Sequence, residues 1–357
     1  MKINIYLILR LFLIATVILL GWYFSDILLY LFFAFIFSLI GKPVARAIHS
    51  IHIYKYRISY NTGTVLTMLL FISIILLAIF VIVPMIAREM NAIATVNYDE
   101  LTVNLGILVE QVQNFLHQNG MIEPHETLVG MITAEIKNIV SFAAFSNVVG
   151  GFLSATGSFL FALFCILFFT FFFIKDDFTL DSIASVVFGK QPIVNVSEVS
   201  DKINKLLSRY FIGLSIEVFS MILLLYIGLL LFGVKGALLF AVFGGILNII
   251  PYLGPIIGVT ACCLFGTVDC LSIHEYHSVL PTIFSIAGVF LGANLIDNLL
   301  LQPIIYSQSI KVHPVEVFIV VIMAGTLAGI TGMIIAIPVY TIIRTIALEL
   351  VKFMNAK

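Results

Sequence analysis

Long apolar runs separated by short charged punctuation set the pattern of this chain. Residues 5–40 are apolar except for Arg10 and the Ser25-Asp26 pair, a stretch long enough for two membrane helices joined almost without a loop. It predicts a tight transmembrane hairpin. A secretory leader is the competing reading, but the run is too long, no A-x-A pattern follows, and a second hydrophobic run comes at once. Further runs at residues 62–87, 148–174, 211–232, 237–267 and 281–301, and a last one beginning after His313-Pro314, each approach or exceed the length that crosses a bilayer core. The expectation is an all-α polytopic transmembrane helical bundle of about eight crossings.

The segments between the runs sort by charge. Residues 41–60 carry Lys42, Arg46, Lys55 and Arg57 with no acid, which places them in the cytoplasm by the positive-inside rule. Residues 88–147 reverse that bias, with Glu89, Asp99, Glu100, Glu110, Glu123, Glu126 and Glu135 against Arg88 and Lys137. This reads as an extracytoplasmic insert. Leu101, Leu105, Leu108, Val112 and Phe115 form one helical stripe, and Leu128, Ile132, Ile136 and Ile139 a second after Pro124. The apolar faces of these two amphipathic helices pack on each other, on the bilayer surface, or on copies of the chain in a homo-oligomer. Residues 175–209, mixed in charge, read as a cytoplasmic amphipathic connector. Three parts result: 1–87, 88–147 and 148–357. Arg344, Lys352 and Lys357 place the C-terminus in the cytoplasm together with the N-terminus.

Composition narrows the classes. With 61% apolar and 10% charged residues, most of this surface meets lipid. No basic block or Gly-rich phosphate loop points to nucleic acid or nucleotide. Neither G-x-S-x-G nor H-E-x-x-H occurs, so an enzyme is not expected. Cys165, Cys262, Cys263 and Cys270 show no C-x-x-C and read as packed thiols. His274, Glu275 and His277 crowd a short polar segment whose spacing fits no zinc pattern, and read as a wet loop. No cofactor or metal is expected.

The chemistry concentrates in the C-terminal half. In Asn248-Ile-Ile-Pro-Tyr-Leu-Gly-Pro-Ile-Ile-Gly258, Pro251 and Pro255 lack N–H groups, so a helix through them would leave the carbonyls of Leu247 and Pro251 unpaired. Broken helices at membrane depth mark transport sites, because freed backbone is tolerated where it lines a cavity. Asn248, Pro251, Tyr252, Gly254 and Pro255 are therefore candidate substrate- or ion-binding positions. Asn294, Asp297 and Asn298 fall within one helical turn, with Gln302 beyond, a polar patch able to replace the hydration of a cation or bind a small polar solute. Glu217, two turns into its apolar run, and Asp297 are candidate proton carriers. His313 and Glu316 read as a helix start, and Gly325, Gly329 and Gly332 as a flat face on the last helix for a neighbour.

Taken together, Asn248-x-x-Pro-Tyr-x-Gly-Pro-x-x-Gly258, Asp297-Asn298, Gln302-Pro303, His313-Pro314, Gly325-x-x-x-Gly329-x-x-Gly332 and Ala336-x-Pro338 resemble the autoinducer-2 exporter (AI-2E) family, the PerM-like permeases, over roughly residues 148–350. The resemblance implies a multi-pass transporter of the bacterial cytoplasmic (inner) membrane with eight or so helices and an oligomeric state. It brings in two activities, export of a quorum-sensing furanone and sodium(lithium)/proton antiport. The functional expectation is a gradient-driven exporter of a small polar solute, with a sodium/proton antiporter as the alternative. An oligomeric scaffold or envelope-assembly factor working through the 88–147 insert is the alternative from another class.

Overall fold

The computed structural model describes residues 19, 21, 23–53, 56–95, 142–176, 196–272, 276–306 and 313–355. The amphipathic stripes of the insert, the first arm of the N-terminal hairpin, and His274 and Glu275 lie outside these residues. Within them the fold is all-α and polytopic: α1 (Ser25–Ser50), α2 (Tyr60–Thr95), α3 (Phe142–Lys175), α4 (Val196–Leu231), α5 (Ala237–Leu247), α6 (Leu253–Ser272), α7 (Val279–Ile296), a π turn (Asp297–Leu301), α8 (Gln302–Tyr306) and α9 (Pro314–Asn355). A minimal hairpin joins α1 to α2, with β1 (His52–Ile53) antiparallel to β2 (Tyr56–Arg57). Among the described residues, seven helical stretches are long and apolar enough to cross a membrane, and α5 is shorter.

Two helices extend beyond the apolar runs. α1 runs on into the basic segment, through Lys42, Pro43 and Arg46 to Ser50. Pro43 would orphan the carbonyl of Leu39 four residues back, and the Ser208 hydroxyl donates to that carbonyl at 3.1 Å. α4 likewise begins at Val196, inside the connector read at 175–209, and continues unbroken to Leu231.

The chain divides into two compact units. The first gathers residues up to Ile74, Thr156–Ile212 and Thr341–Lys357. Its core is Ala45, Met68, Phe71 and Ile174, flanked by Phe37, Ile40 and Phe171. The Tyr60 hydroxyl donates to the Ile174 carbonyl at 3.1 Å, and Lys202 pairs with Glu349 at 2.5 Å. The second comprises Ile75–Ala155 and Gly213–Tyr340. Its core joins Met221, Leu225 and Leu229 of α4, Phe240 and Ala241 of α5, Cys262 of α6, and Ile286, Val289 and Phe290 of α7. The turn from α4 to α5 is a Schellman closure: Gly233 has φ 69°, and the Val234 N–H donates to the Leu229 carbonyl at 3.0 Å.

The last helix is not one rod. At Ala328 (φ −139°, ψ 21°) and Gly329 (φ 59°, ψ −145°) the backbone leaves helical angles. The Tyr340 hydroxyl donates to Glu316 Oε2 at 2.6 Å across 24 residues, positions that a straight helix would hold about 36 Å apart. The two arms of α9 are therefore antiparallel within the second unit, packed through Val321, Ala336, Val320, Ala324 and Met333. The small residues expected to receive a separate helix serve this reversal instead: a Cβ on Gly332 would collide with the Ala324 carbonyl, and one on Gly325 with the Met333 side chain.

Candidate functional site

The helix break forms where Pro251 predicts it. α5 stops at Leu247 and α6 resumes at Leu253, and the intervening backbone repairs itself. Ile250 N–H donates to the Leu247 carbonyl at 2.9 Å, Leu253 N–H to the Pro251 carbonyl at 2.7 Å, and Gly254 N–H to the Ile250 carbonyl at 2.8 Å. Both carbonyls expected to be freed by the prolines thus have partners, because tight local turns replace the lost helical bonds. Pro255 falls in the first turn of α6, where a missing N–H costs nothing.

The turn is strained and crowded. Tyr252 has φ 65°, a left-handed conformation uncommon for a side chain of its size. Its ring points away from the core, 44% exposed, and meets Phe318 edge-on at 5.9 Å. A Cβ on Gly254 would strike the Leu247 carbonyl, so only glycine lets the chain pass so close to the end of α5. Pro251, Tyr252, Gly254 and Pro255 shape the break, while Asn248 carries its chemistry inward.

Asn248, Glu217 and Asp297 are all more than nine-tenths buried, at 8%, 5% and 1% exposure. Asp297 is the hub. Gln302 Nε2 donates to its Oδ2 at 2.9 Å, and the side chains of Asn248 and Glu217 interact with the same carboxyl. Two atoms of the group are left over: Oδ1 of Asp297 and Nδ2 of Asn248 have no hydrogen-bond partner among the described residues. Buried polar atoms of this kind are costly and uncommon in folded proteins. Three separate elements, α4, the end of α5 and the π turn, place their polar side chains at one point inside an apolar unit.

The π turn explains which residues meet. From Asp297 to Leu301 the helix widens, and the Gln302 N–H reaches the Asp297 carbonyl five residues back. In an α-helix the partner would come three or four residues on; here Gln302 lies directly over Asp297. The expected patch of Asn294, Asp297 and Asn298 divides accordingly. Asn298 Nδ2 donates to the Asn294 carbonyl and Asn294 Nδ2 to the Phe290 carbonyl, both at 2.8 Å, and Asn298 is exposed. Sequence spacing therefore grouped Asp297 with Gln302 but did not show the turn that joins them. Glu316 and Tyr340, which bridge the arms of α9, were visible only as a helix start and an ordinary apolar-run tyrosine.

The four cysteines are free. Cys262 Sγ points at the Phe240 carbonyl at 3.7 Å and Cys270 lies 3.4 Å from the Thr282 hydroxyl, as thiols packed between helices do.

A family model described as AI-2E family transporter matches residues 7–352. The chain is 32% identical over 132 residues to YueF of Bacillus subtilis (strain 168), 37% of this chain and 33% of that protein. It is 31% identical over 121 residues to YrrI of the same organism, 34% and 32% of the two chains. A longer match to YtvI, also from Bacillus subtilis (strain 168), gives 27% identity over 175 residues, 49% and 45%. The names of all three call them candidate transport proteins. The matched stretches span about a third to under half of these relatives' lengths. With the family model covering nearly every residue and the apolar helices to match it, this chain belongs to the AI-2E family of membrane transporters.

Proposed function

We propose that this protein is a proton-coupled carrier that exports a small hydroxyl-bearing solute across the bacterial cytoplasmic membrane, with Asp297 at the centre of its site. The observation that carries this reading is the buried group of Asp297, Glu217, Asn248 and Gln302. A hydrogen bond between two carboxyls requires that one of them hold a proton. The contact between Glu217 and Asp297 is thus a place where a proton is stored and released as access alternates. The unpartnered acceptor Oδ1 of Asp297 and donor Nδ2 of Asn248 match one hydroxyl, which donates to the first and accepts from the second. Outward direction comes from the family resemblance. No nucleotide motif supplies energy, so a gradient does.

One observation favours sodium/proton antiport as a second reading. Two carboxyls within contact of each other form an oxygen-rich site at which a monovalent cation and a proton compete.

The test is flux in proteoliposomes of the full chain with an internal pH dye. Wild type is compared with Asp297→Asn under imposed proton and sodium gradients, with labelled small polyols present or absent. Polyol-dependent proton movement that falls at least about tenfold in the variant, the scale of one charge-assisted contact, supports the carrier. Sodium-driven proton movement without solute moves the assignment to the antiporter. Equal flux in wild type and Asp297→Asn overturns both.

A further inference from the structure

The second unit contains a cleft of about 230 Å³ at the other end of α7 from Asp297. The two places are separated by the length of α7, about 27 Å. Its walls come from the α4–α5 turn (Phe232 to Lys235), the end of α6 (Asp269, Cys270) and the start of α7 (Ser278, Thr282, Ser285). We propose that this cleft holds the headgroup of a phospholipid bearing a primary ammonium, as phosphatidylethanolamine does.

Depth is the first argument. Three apolar spans end at the cleft: one at Leu231, one at Cys270, and one beginning at Val279. A site bounded by the ends of three spans lies where hydrocarbon gives way to headgroups. Charge is the second. Lys235 and Asp269 line the same cleft and offer a cation for a phosphate and a carboxylate for an ammonium, opposite signs as in a zwitterionic headgroup. The hydroxyls of Ser278, Thr282 and Ser285 add donors for phosphate oxygens. The rim is the third. Phe232, in the cleft wall, is 66% exposed, apolar surface against which an acyl chain of a bound lipid lies. A free polar ligand would have no use for that rim.

Asp269 gives the selectivity. A primary ammonium donates hydrogen bonds to a carboxylate; a trimethylated one carries the charge without donors. Phosphatidylglycerol brings no cation and meets Asp269 as a like charge.

The experiment is native mass spectrometry of the full chain delipidated in detergent, then given dioleoyl phosphatidylethanolamine, phosphatidylcholine or phosphatidylglycerol at equal concentration. Wild type should retain the ethanolamine lipid about fivefold better than the choline lipid, the size of a partly wet ion pair. Asp269→Asn should abolish that preference, and Lys235→Gln should lower retention of all three lipids. Thermal melts of both variants in detergent establish that they are folded. Equal retention of the three lipids by wild type, or an unchanged preference in folded Asp269→Asn, overturns the proposal.

Discussion

Gln302 hydrogen-bonds Asp297 at a separation of five residues, a spacing that an α-helix puts on diverging faces and that the π turn between them closes. The carboxyl at the centre of the candidate site is therefore held by an irregularity of its own helix. Gln302→Leu should leave Asp297 without that donor. Stability in detergent should fall by about 1–3 kcal/mol, the cost of orphaning a buried acceptor, and solute-coupled flux should fall with it; a melt unchanged from wild type would refute the anchoring role.

Glu217 and Asp297 share one carboxyl contact from two different helices. Neutralised singly, as Glu217→Gln and Asp297→Asn, each should depress coupled transport. Because the pair acts as a unit, the double variant should be far from additive, with an interaction energy of at least about 1 kcal/mol. Strictly additive losses would separate the two residues functionally.

Gly254→Ala places a methyl into the Leu247 carbonyl. The break has to open to admit it, at a cost of about 1–3 kcal/mol as for other overpacked sites. Thermal unfolding of purified protein should show a lowered midpoint, and transport should suffer more than the melt because Asn248 sits in the displaced turn. Gly258→Ala, whose nearest neighbour is the Phe290 ring at 3.3 Å, should be milder in both.

Gly329→Ala tests the reversal of α9 by backbone alone. A Cβ there meets open space, yet φ 59° with ψ −145° is a region that glycine occupies almost exclusively. Destabilisation of about 1–3 kcal/mol is expected without any steric clash. A neutral substitution would mean that the apex is not held in this conformation.

Tyr340→Phe removes the hydroxyl that bonds Glu316 across the mouth of the same hairpin. The bond is exposed, so a loss of about 0.5–1.5 kcal/mol is expected. Glu316→Gln should reproduce it only in part, since an amide oxygen still accepts. A cysteine pair at these two positions should be bridged by a short bismaleimide if the arms lie side by side, and not if α9 were straight.

Much of this architecture is legible in the sequence because lipid imposes simple rules. Apolar run lengths located the spans, and two prolines four residues apart located the break. Asp297 and Glu217 drew notice because carboxyls inside apolar runs are expensive. What escaped reading are departures from helical period. Nothing about Asp297-Asn298-Leu299-Leu300-Leu301 announces a π turn, since its side chains suit an α-helix equally. The reversal in α9 hid for a related reason: glycine and alanine near residue 328 pack a helix on a neighbour or fold it on itself, and composition does not choose. Nor does the sequence show that a distant hydroxyl, Ser208, meets the Leu39 carbonyl that Pro43 leaves without its helical partner.

The doubling back of α9 changes what a reporter fusion means. Its first arm, residues 314–327, rises only about 21 Å, short of the roughly 30 Å hydrocarbon core. The chain consequently leaves this element on the side from which it entered. Enzyme tags placed after residue 306 and at the C-terminus should report the same compartment, so topology maps that count α9 as one crossing would assign inside and outside with inverted sign for everything preceding it.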